Sequence, residues 1–370
     1  MFTRCLPVRN VFHIRSFYPT NVYFTSTTTG ESSAATGKFN LLNISHNSVI
    51  ISQSRDIYDN LALEDWLYKN QDFTSKDMFI LLLWYNSPSV VIGRHQNPWV
   101  ECSVDYCNTF GIKIARRHSG GGTVYHDYGN VNCSFLTPRK KYDRRNNLQI
   151  ICDSIFKKWS ISLIISDRHD ILYNNKYKIS GTASKLGRTN AYHHCTLLVD
   201  VDEEKLQQAL HRDLDCIESK ATSSVRAKVK NLKSVCSALN VDNLMYAVAD
   251  EYKQYYKVQN ENVFHVIPNE DTCSGITLIK KDLMSWEWCF GHTPRFTVTK
   301  TFPMCLPSPQ YGKEKLPSQI TVKFIIFKGS IENISLEPQI LEEQDFNFLQ
   351  KCIIGSSFYS SSQRINQNLG

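Results

Sequence analysis

Apolar and polar positions alternate in blocks along the chain, and the blocks predict the elements. Ser54 to Gln71 reads as a helix, with Ile57, Leu61 and Trp66 as its apolar positions behind Ser54 and Asp56, either of which can cap. Glu64 or Asp65 completes a mixed face. Met78 to Trp84 is a continuous apolar run, hence a buried strand; Asn86-Ser87-Pro88 turns the chain and Ser89 to Gly93 returns as a second strand. Arg94 to Trp99 reads as a loop, Val104 to Phe110 as a short helix and Gly111 to Ala115 as an alternating strand. Asn130 to Leu136 is another strand. Leu148, Ile151, Ile155 and Trp159 make Asp143 to Trp159 an amphipathic helix. Ile161 to Ile165 is a strand, and Asp170 to Tyr173 and Tyr177 to Ser180 form a hairpin about Asn174-Asn175-Lys176. Ala191 to Val201 predicts the longest strand, Glu203 to His211 a helix, Lys220 to Leu232 a basic loop and Asp242 to Tyr256 a helix.

The pattern changes after Asp271 to Gly275, which reads as a linker. Phe296 to Phe302 is a strand, Gln319 to Phe327 and Ser330 to Leu336 pair about Lys328-Gly329, and a helix lies within Glu337 to Ile353. Ser356 to Gly370 looks loose and polar. The chain thus divides into a leader over 1–37, a larger α/β unit over 38–268 and a smaller α+β unit over 269–370.

Composition narrows the classes. A chain of 370 residues with 42% hydrophobic side chains can bury a sizeable core. The net charge of +7 is spread without a Lys/Arg block, so nucleic acid is not an expected partner. The longest apolar run, Phe79 to Tyr85, is far short of the roughly 20 residues of a membrane span, so no membrane partner is expected either. Twelve cysteines occur without a Cys-x-x-Cys pair or zinc-finger spacing, which points to reduced, buried thiols and no metal. Arg4, Arg9 and Arg15, no acidic residue before Glu31 and crowded hydroxyls from Thr20 to Thr29 have the composition of a mitochondrial transit peptide, cleaved before Lys38.

Two stretches carry the candidate chemistry. Arg116-Arg117-His118-Ser119-Gly120-Gly121-Gly122-Thr123-Val124-Tyr125-His126-Asp127 follows a strand. Its glycines lack Cβ atoms, so their amides can approach a bound group and form an anion nest. The spacing is neither a phosphate-binding P-loop nor a dinucleotide fingerprint. A bare triple glycine is more often a flexible turn; the surrounding charge and hydrogen-bonding groups favour a site. The second stretch is Lys178-Ile179-Ser180-Gly181-Thr182-Ala183 with Tyr192-His193-His194-Cys195-Thr196-Leu197-Leu198. The strand pattern alone favours a solvent-facing Lys178. His193 and His194 are consecutive strand residues, so they face opposite sides and do not share one metal ion.

Together with Gly93-Arg94-His95-Gln96-Asn97-Pro98-Trp99 and Ser224-Val225-Arg226-Ala227-Lys228-Val229-Lys230-Asn231-Leu232, these stretches resemble the lipoate–protein ligase A family, its animal mitochondrial lipoyltransferases most of all, over roughly residues 45 to 300. The resemblance implies a mixed-sheet α/β (α+β) catalytic domain of the biotin/lipoate protein ligase type, with a small accessory C-terminal domain. It implies transfer of a lipoyl group from lipoyl-AMP to a lysine of lipoyl domains in 2-oxo acid dehydrogenase E2 subunits, in the mitochondrial matrix, by a monomer. The glycine cleavage H protein would serve as acceptor or donor. Magnesium would enter only with ATP-dependent activation of free lipoate.

Residue by residue, the resemblance makes Lys178 the catalytic group, its ammonium facing the carbonyl and phosphate oxygens of the adenylate. It places Arg117, Gly120, Gly121, Gly122, Tyr125 and His126 of the loop at the ligand, together with Arg168, His194, Thr196, Val225 and Ala227. Asp127 is expected to anchor the loop, and Cys195 to be packing. Three alternatives stay open: a full ATP-dependent ligase, an acyltransferase passing through a thioester on Cys195, and a non-catalytic protein that stores the adenylate.

Overall fold

The computed structural model describes residues 40–211, 216–303 and 318–358. The expected transit peptide lies outside the described residues, as does the part beyond Phe358 of the tail expected to be loose from Ser356; Ser356 to Phe358 are instead held to the chain at 329–331, Ile331 N donating to Ser356 O and Phe358 N to Gly329 O. The strands are β1 (Ser48–Ser52), β2 (Ile80–Trp84), β3 (Ser89–Ile92), β4 (Lys113–Arg116), β5 (Val124–His126), β6 (Asn130–Pro138), β7 (Leu163–Ile165), β8 (Ile171–Tyr173), β9 (Tyr177–Lys178), β10 (Ser180–Leu186), β11 (Asn190–Leu198), β12 (Ile217–Ser219), β13 (Val263–Val266), β14 (Phe296–Pro303), β15 (Gln319–Phe327) and β16 (Ser330–Glu337). The helices are α1 (Ile57–Asn70), α2 (Pro98–Glu101), α3 (Val104–Thr109), α4 (Arg144–Trp159), α5 (Glu203–Ala209), α6 (Val241–Tyr256), α7 (Ile276–Met284) and α8 (Glu343–Ile353).

A six-stranded mixed sheet of order β10-β11-β6-β2-β1-β13 forms the centre. Strands β1–β2 and β1–β13 run parallel, and the other pairs run antiparallel. All of β6 is buried. One face packs Leu148, Ile151 and Ile155 of α4 and Leu244, Val248 and Tyr252 of α6 against Leu81, Cys133 and Cys195. The other face takes Leu61, Trp66 and Leu67 of α1 against Ile80, Leu82 and Leu136. The mixed-sheet α/β architecture expected from the sequence is therefore present.

Three smaller sheets position the loops. β4-β3-β5 carries the glycine loop between β4 and β5; the β7-β8-β9 meander ends in Lys178; β12, from mid-chain, joins the C-terminal strands in the sheet β12-β14-β15-β16. The predicted turn at Asn174 and Asn175 has both residues at positive φ, 51° each, as a tight hairpin turn requires.

The expected linker is built into the core instead. Cys273 is fully buried with α1 and α7, Leu41 N donates to Thr272 O, and Trp66 Nε1 donates to Ser274 O at 2.8 Å. Glu270 receives the amides of Gly275 and Thr277 and so caps α7, a helix absent from the sequence-based expectation. The polar composition of this stretch suggests a tether because capping residues and linkers draw on the same residue types.

Candidate active site

Two buried arginines shape the glycine loop. Arg117 Nε donates to Ser119 Oγ, Nη1 to Val91 O, and Nη2 to the carbonyls of Gly120 (2.6 Å) and Gly122 (2.7 Å). The loop is wound around this guanidinium, so Arg117 acts as its scaffold. Burial lowers the Arg117 pKa to about 10, which leaves it charged at neutral pH. Arg116 does the same from behind: Nη1 binds the carbonyls of Gly93, Arg94 and Gln96, Nε those of Trp288 and Cys289, and Nη2 Thr293 Oγ1. Trp288 Nε1 answers by donating to Arg116 O.

Gly121 adopts φ 81°, and a Cβ on Gly93 would fall on the Gly121 carbonyl oxygen. These two glycines are therefore required by backbone geometry. Among the described residues, no acceptor faces the amides of Gly120, Gly121 or Gly122. With the carbonyls turned to Arg117, the loop's amides are left for a ligand.

A buried relay ties this loop to α1 and the central sheet. Glu64 Oε1 accepts from Ser134 Oγ (2.5 Å) and from His194 Nδ1 (2.8 Å), and His194 Nε2 meets Ser119 Oγ at 2.9 Å. The Glu64 pKa lies below its ordinary value, because His194 and Ser134 outweigh the burial that would raise it. A carboxylate there accepts Nδ1–H, which fixes the ring so that His194 Nε2 faces the Ser119 hydroxyl. Sequence reasoning assigns His194 to the pocket and misses Glu64 and Ser119 as its partners. The available signal is an acid three residues after Leu61, at helical spacing from a core position.

Burial keeps three histidines neutral. The His118 pKa falls to about 4 and the His126 pKa to about 3, both through desolvation first, and His193 is pushed well below its usual range for the same reason. An unfolded histidine titrates near 6.5, so below that pH the unfolded chain binds more protons and stability falls. Stability should be flat above about pH 7 and drop by roughly 2 kcal/mol per histidine at pH 5. Urea midpoints across pH 5 to 8 measure this; an unchanged midpoint at pH 5 contradicts it.

Two cavities meet at the loop. A narrow slot of about 30 Å³ is lined by Leu61, Trp84, Val91, Val124, His126, Asn132 and His194 among others. A wider cavity of about 700 Å³ is lined by Lys178, Tyr125, Val225, Arg226, Ala227 and Lys228 among others. Val124, Gly181 and Thr196 line both. The register explains the slot: Gly181 pairs with Thr196, Thr196 with Asn132 and Asn132 with Trp84, so one transverse row crosses from β10 to β2. At about 4.8 Å per strand, the row spans roughly 14 Å.

Lys178 stands at the wide end. Its Nζ pairs with Asp170 at 2.8 Å, and its backbone is pinned by the basic loop, N to Lys228 O and O to Lys230 N. Thr196 Oγ1 accepts from the Gly181 amide.

The family described as the lipoyl protein ligase A/B catalytic domain matches residues 56–253. The human "Lipoyl amidotransferase LIPT1, mitochondrial" is 41% identical over 331 residues, covering 88% of this chain and 86% of the human protein. The mouse protein of the same name is 46% identical over 259 residues, covering 70% of this chain and 69% of its own. The solved structure of P. falciparum LipL1 in complex with lipoate superposes with a TM-score of 0.58 at 26% identity, covering 88% of this chain and 95% of that one. This chain belongs to the lipoyl protein ligase A/B family.

As a member of that family it is a lipoyl-transferring enzyme of protein lipoylation. Most residues that the resemblance assigns to the ligand lie around the two cavities. Arg117, Gly122, His126, His194 and Thr196 line the slot; Tyr125, Lys178, Thr196, Val225 and Ala227 line the wide cavity. Tyr125 and His126 face opposite sides of β5, as consecutive strand residues must. Burial raises the Tyr125 pKa, so its hydroxyl stays protonated. Arg168, in an exposed turn, lines neither cavity, and of the three loop glycines only Gly122 lines one, Gly120 and Gly121 lying outside both linings. Asp127 anchors the loop's far end through the amides of Gly129 and Asp202. Among the described residues no His/Cys/Asp/Glu cluster could hold a metal ion.

Cys195 borders the slot between His194 and Thr196 on β11, but its side chain turns to the opposite face and packs in the core with Cys133. Its contact with Cys133, with burial added, raises the thiol pKa well above the usual range. A thiolate nucleophile is disfavoured there. Cys195→Ala should keep transfer activity within about threefold and cost about 1–2 kcal/mol of stability through lost packing. Loss of all transfer with an intact fold would restore the thioester mechanism.

Proposed function

We propose that this enzyme transfers a lipoyl group from lipoyl-AMP to the ε-amine of a lysine in lipoyl domains of 2-oxo acid dehydrogenase E2 subunits, acting as a monomer in the mitochondrial matrix. A lipoylated glycine cleavage H protein would serve as a second donor through the same slot. The observation that carries this reading is the shared wall of the two cavities at Val124, Gly181 and Thr196, with Lys178 on the wide side. The slot, its open wall more apolar than polar, suits an acyl chain, and the wide cavity, where Lys178, Arg226 and Lys228 outnumber Glu101 and Glu203, suits an anionic nucleotide. The mixed anhydride then lies at their junction, between the free glycine amides and the lysine. At about 30 Å³ the slot is well below ligand size, so its walls part as the chain enters.

The acceptor amine attacks the acyl carbon, the bond from carbonyl carbon to phosphate oxygen breaks, AMP leaves with the electron pair, and the new amide nitrogen loses a proton. The Lys178 ammonium and the glycine amides stabilise charge on the carbonyl oxygen and on the departing phosphate. Excluding water protects the adenylate from hydrolysis. Residues 269–370 are proposed to act as an accessory unit; the contacts of Trp288, Cys289 and Thr293 with Arg116 brace the loop's supporting strand.

The reaction proposed is transfer without prior activation of free lipoate. Purified protein with lipoyl-AMP and an apo lipoyl domain should give a lipoyl mass increment and stoichiometric AMP over many turnovers. Lipoate, ATP and magnesium in place of the adenylate should give none. Modification in that second mixture would make the protein a full ligase; a single turnover per bound adenylate would make it a storage protein.

A further inference from the structure

The slot carries a buried imidazole to which the reaction as proposed gives no part. His126 is buried, its Nδ1 lies 2.9 Å from Asn86 Nδ2, and its Nε2 has no partner. It flanks Trp84, which ends the transverse row, with the two rings edge to face at 5.9 Å. Val124, two residues earlier on the same strand, stands at the junction with the wide cavity. At about 3.3 Å per residue, His126 lies roughly 6–7 Å farther along the slot, on the same face.

Hydrogen bonding settles which nitrogen holds the proton. Asn60 Nδ2 faces the carbonyl oxygens of Ser54 and Tyr85, which only accept, so that edge of Asn60 is its NH2. The same NH2 donates to Asn86 at 2.8 Å, and that atom of Asn86 is therefore the carbonyl oxygen. The other end of Asn86 is its NH2 and donates to His126 Nδ1. Ser52 Oγ completes the set by donating to Asn60 Oδ1. A neutral imidazole that accepts at Nδ1 carries its proton on Nε2. The chain Ser52–Asn60–Asn86 thus delivers a fixed N–H donor, buried and unpaired, to the inner part of an otherwise largely apolar slot.

An unpaired buried donor is costly unless its ligand supplies an acceptor. A hydrocarbon tail supplies none, whereas a disulfide ring supplies sulfur lone pairs. We infer that His126 Nε2–H reads the sulfur-bearing end of the acyl chain and makes the enzyme prefer lipoyl over octanoyl donors. Asn60 and Asn86 are positioning residues that hold the tautomer. The inference rests on the lipoyl-transfer reading above.

Two measurements test it. In protein labelled with 15N-histidine, the His126 resonances should show a protonated Nε2 and a bare Nδ1 from pH 7 to 8, where the fold has its full stability; a protonated Nδ1 overturns the inference without reference to any variant or substrate. In transfer assays with lipoyl-AMP and octanoyl-AMP on one apo lipoyl domain, the wild-type kcat/KM ratio should favour lipoyl. His126→Phe, which keeps an aromatic ring and removes the donor, should lower that ratio by about three- to tenfold, the scale of one modest hydrogen bond. An unchanged ratio, or a wild type that favours octanoyl, overturns the inference while the transfer reading stands. Absence of transfer from both adenylates in the wild type would overturn the transfer reading itself.

Discussion

Lys178→Ala lowers kcat/KM for transfer from lipoyl-AMP by about 10²- to 10³-fold while leaving the fold intact. The magnitude is that of removing one preorganised donor from a site where charge develops in the transition state. The fold is spared because the Lys178 side chain is 25% exposed and has one charged partner, Asp170, itself 19% exposed. Backbone contacts to Lys228 and Lys230 do not depend on the side chain. Lys178→Arg should restore little, because a planar fork does not reproduce a compact ammonium between two oxygens. Asp170→Asn should cost less, about three- to tenfold, since it releases the ammonium without removing it. Single-turnover rates with preformed lipoyl-AMP, alongside circular dichroism, decide the matter. A loss under tenfold for Lys178→Ala would remove the lysine from the reaction.

Arg117→Ala destabilises the protein by about 3–5 kcal/mol and abolishes transfer together. The substitution leaves the carbonyls of Val91, Gly120 and Gly122 and the Ser119 hydroxyl without their donor inside the protein. Stranding buried polar groups by removing a charged partner has costs of this size. Arg117→Lys recovers only part, since one ammonium cannot reach acceptors arrayed around a planar fork. Gly93→Ala should reproduce the phenotype from the opposite side, as its Cβ would displace the Gly121 carbonyl. Urea denaturation and transfer assays on all three variants check this. Wild-type stability in Arg117→Ala would mean that the loop holds its shape without the guanidinium.

Much of the architecture is legible in the sequence because it is local. The α1 and α4 patterns, the hairpin at Asn174-Asn175 and the β15–β16 turn at Lys328-Gly329 all follow from spacing and turn chemistry within a few residues. Strands β1 and β13 carry no such signal. Each is a short run paired only with strands distant in sequence, Val49 with Val263 for example, and nothing nearby marks that pairing. Helix α7 is hidden in the same way, its cap supplied by Glu270 across a turn that resembles a linker.

The site divides along the same line. Residue types in order along the chain are enough to specify a glycine loop, a lysine on a strand end and a basic loop beyond it, because each is a contiguous motif with its own chemistry. Which partner each side chain meets is decided by tertiary packing. Arg117 holds the loop's carbonyls, Arg168 stands in an exposed turn, and Glu64 and Asn86 act from two other segments, Glu64 meeting through His194 the loop's own Ser119. A hydrogen bond depends on angstrom-scale placement of groups far apart in sequence, and no local pattern of polar and apolar residues encodes that distance.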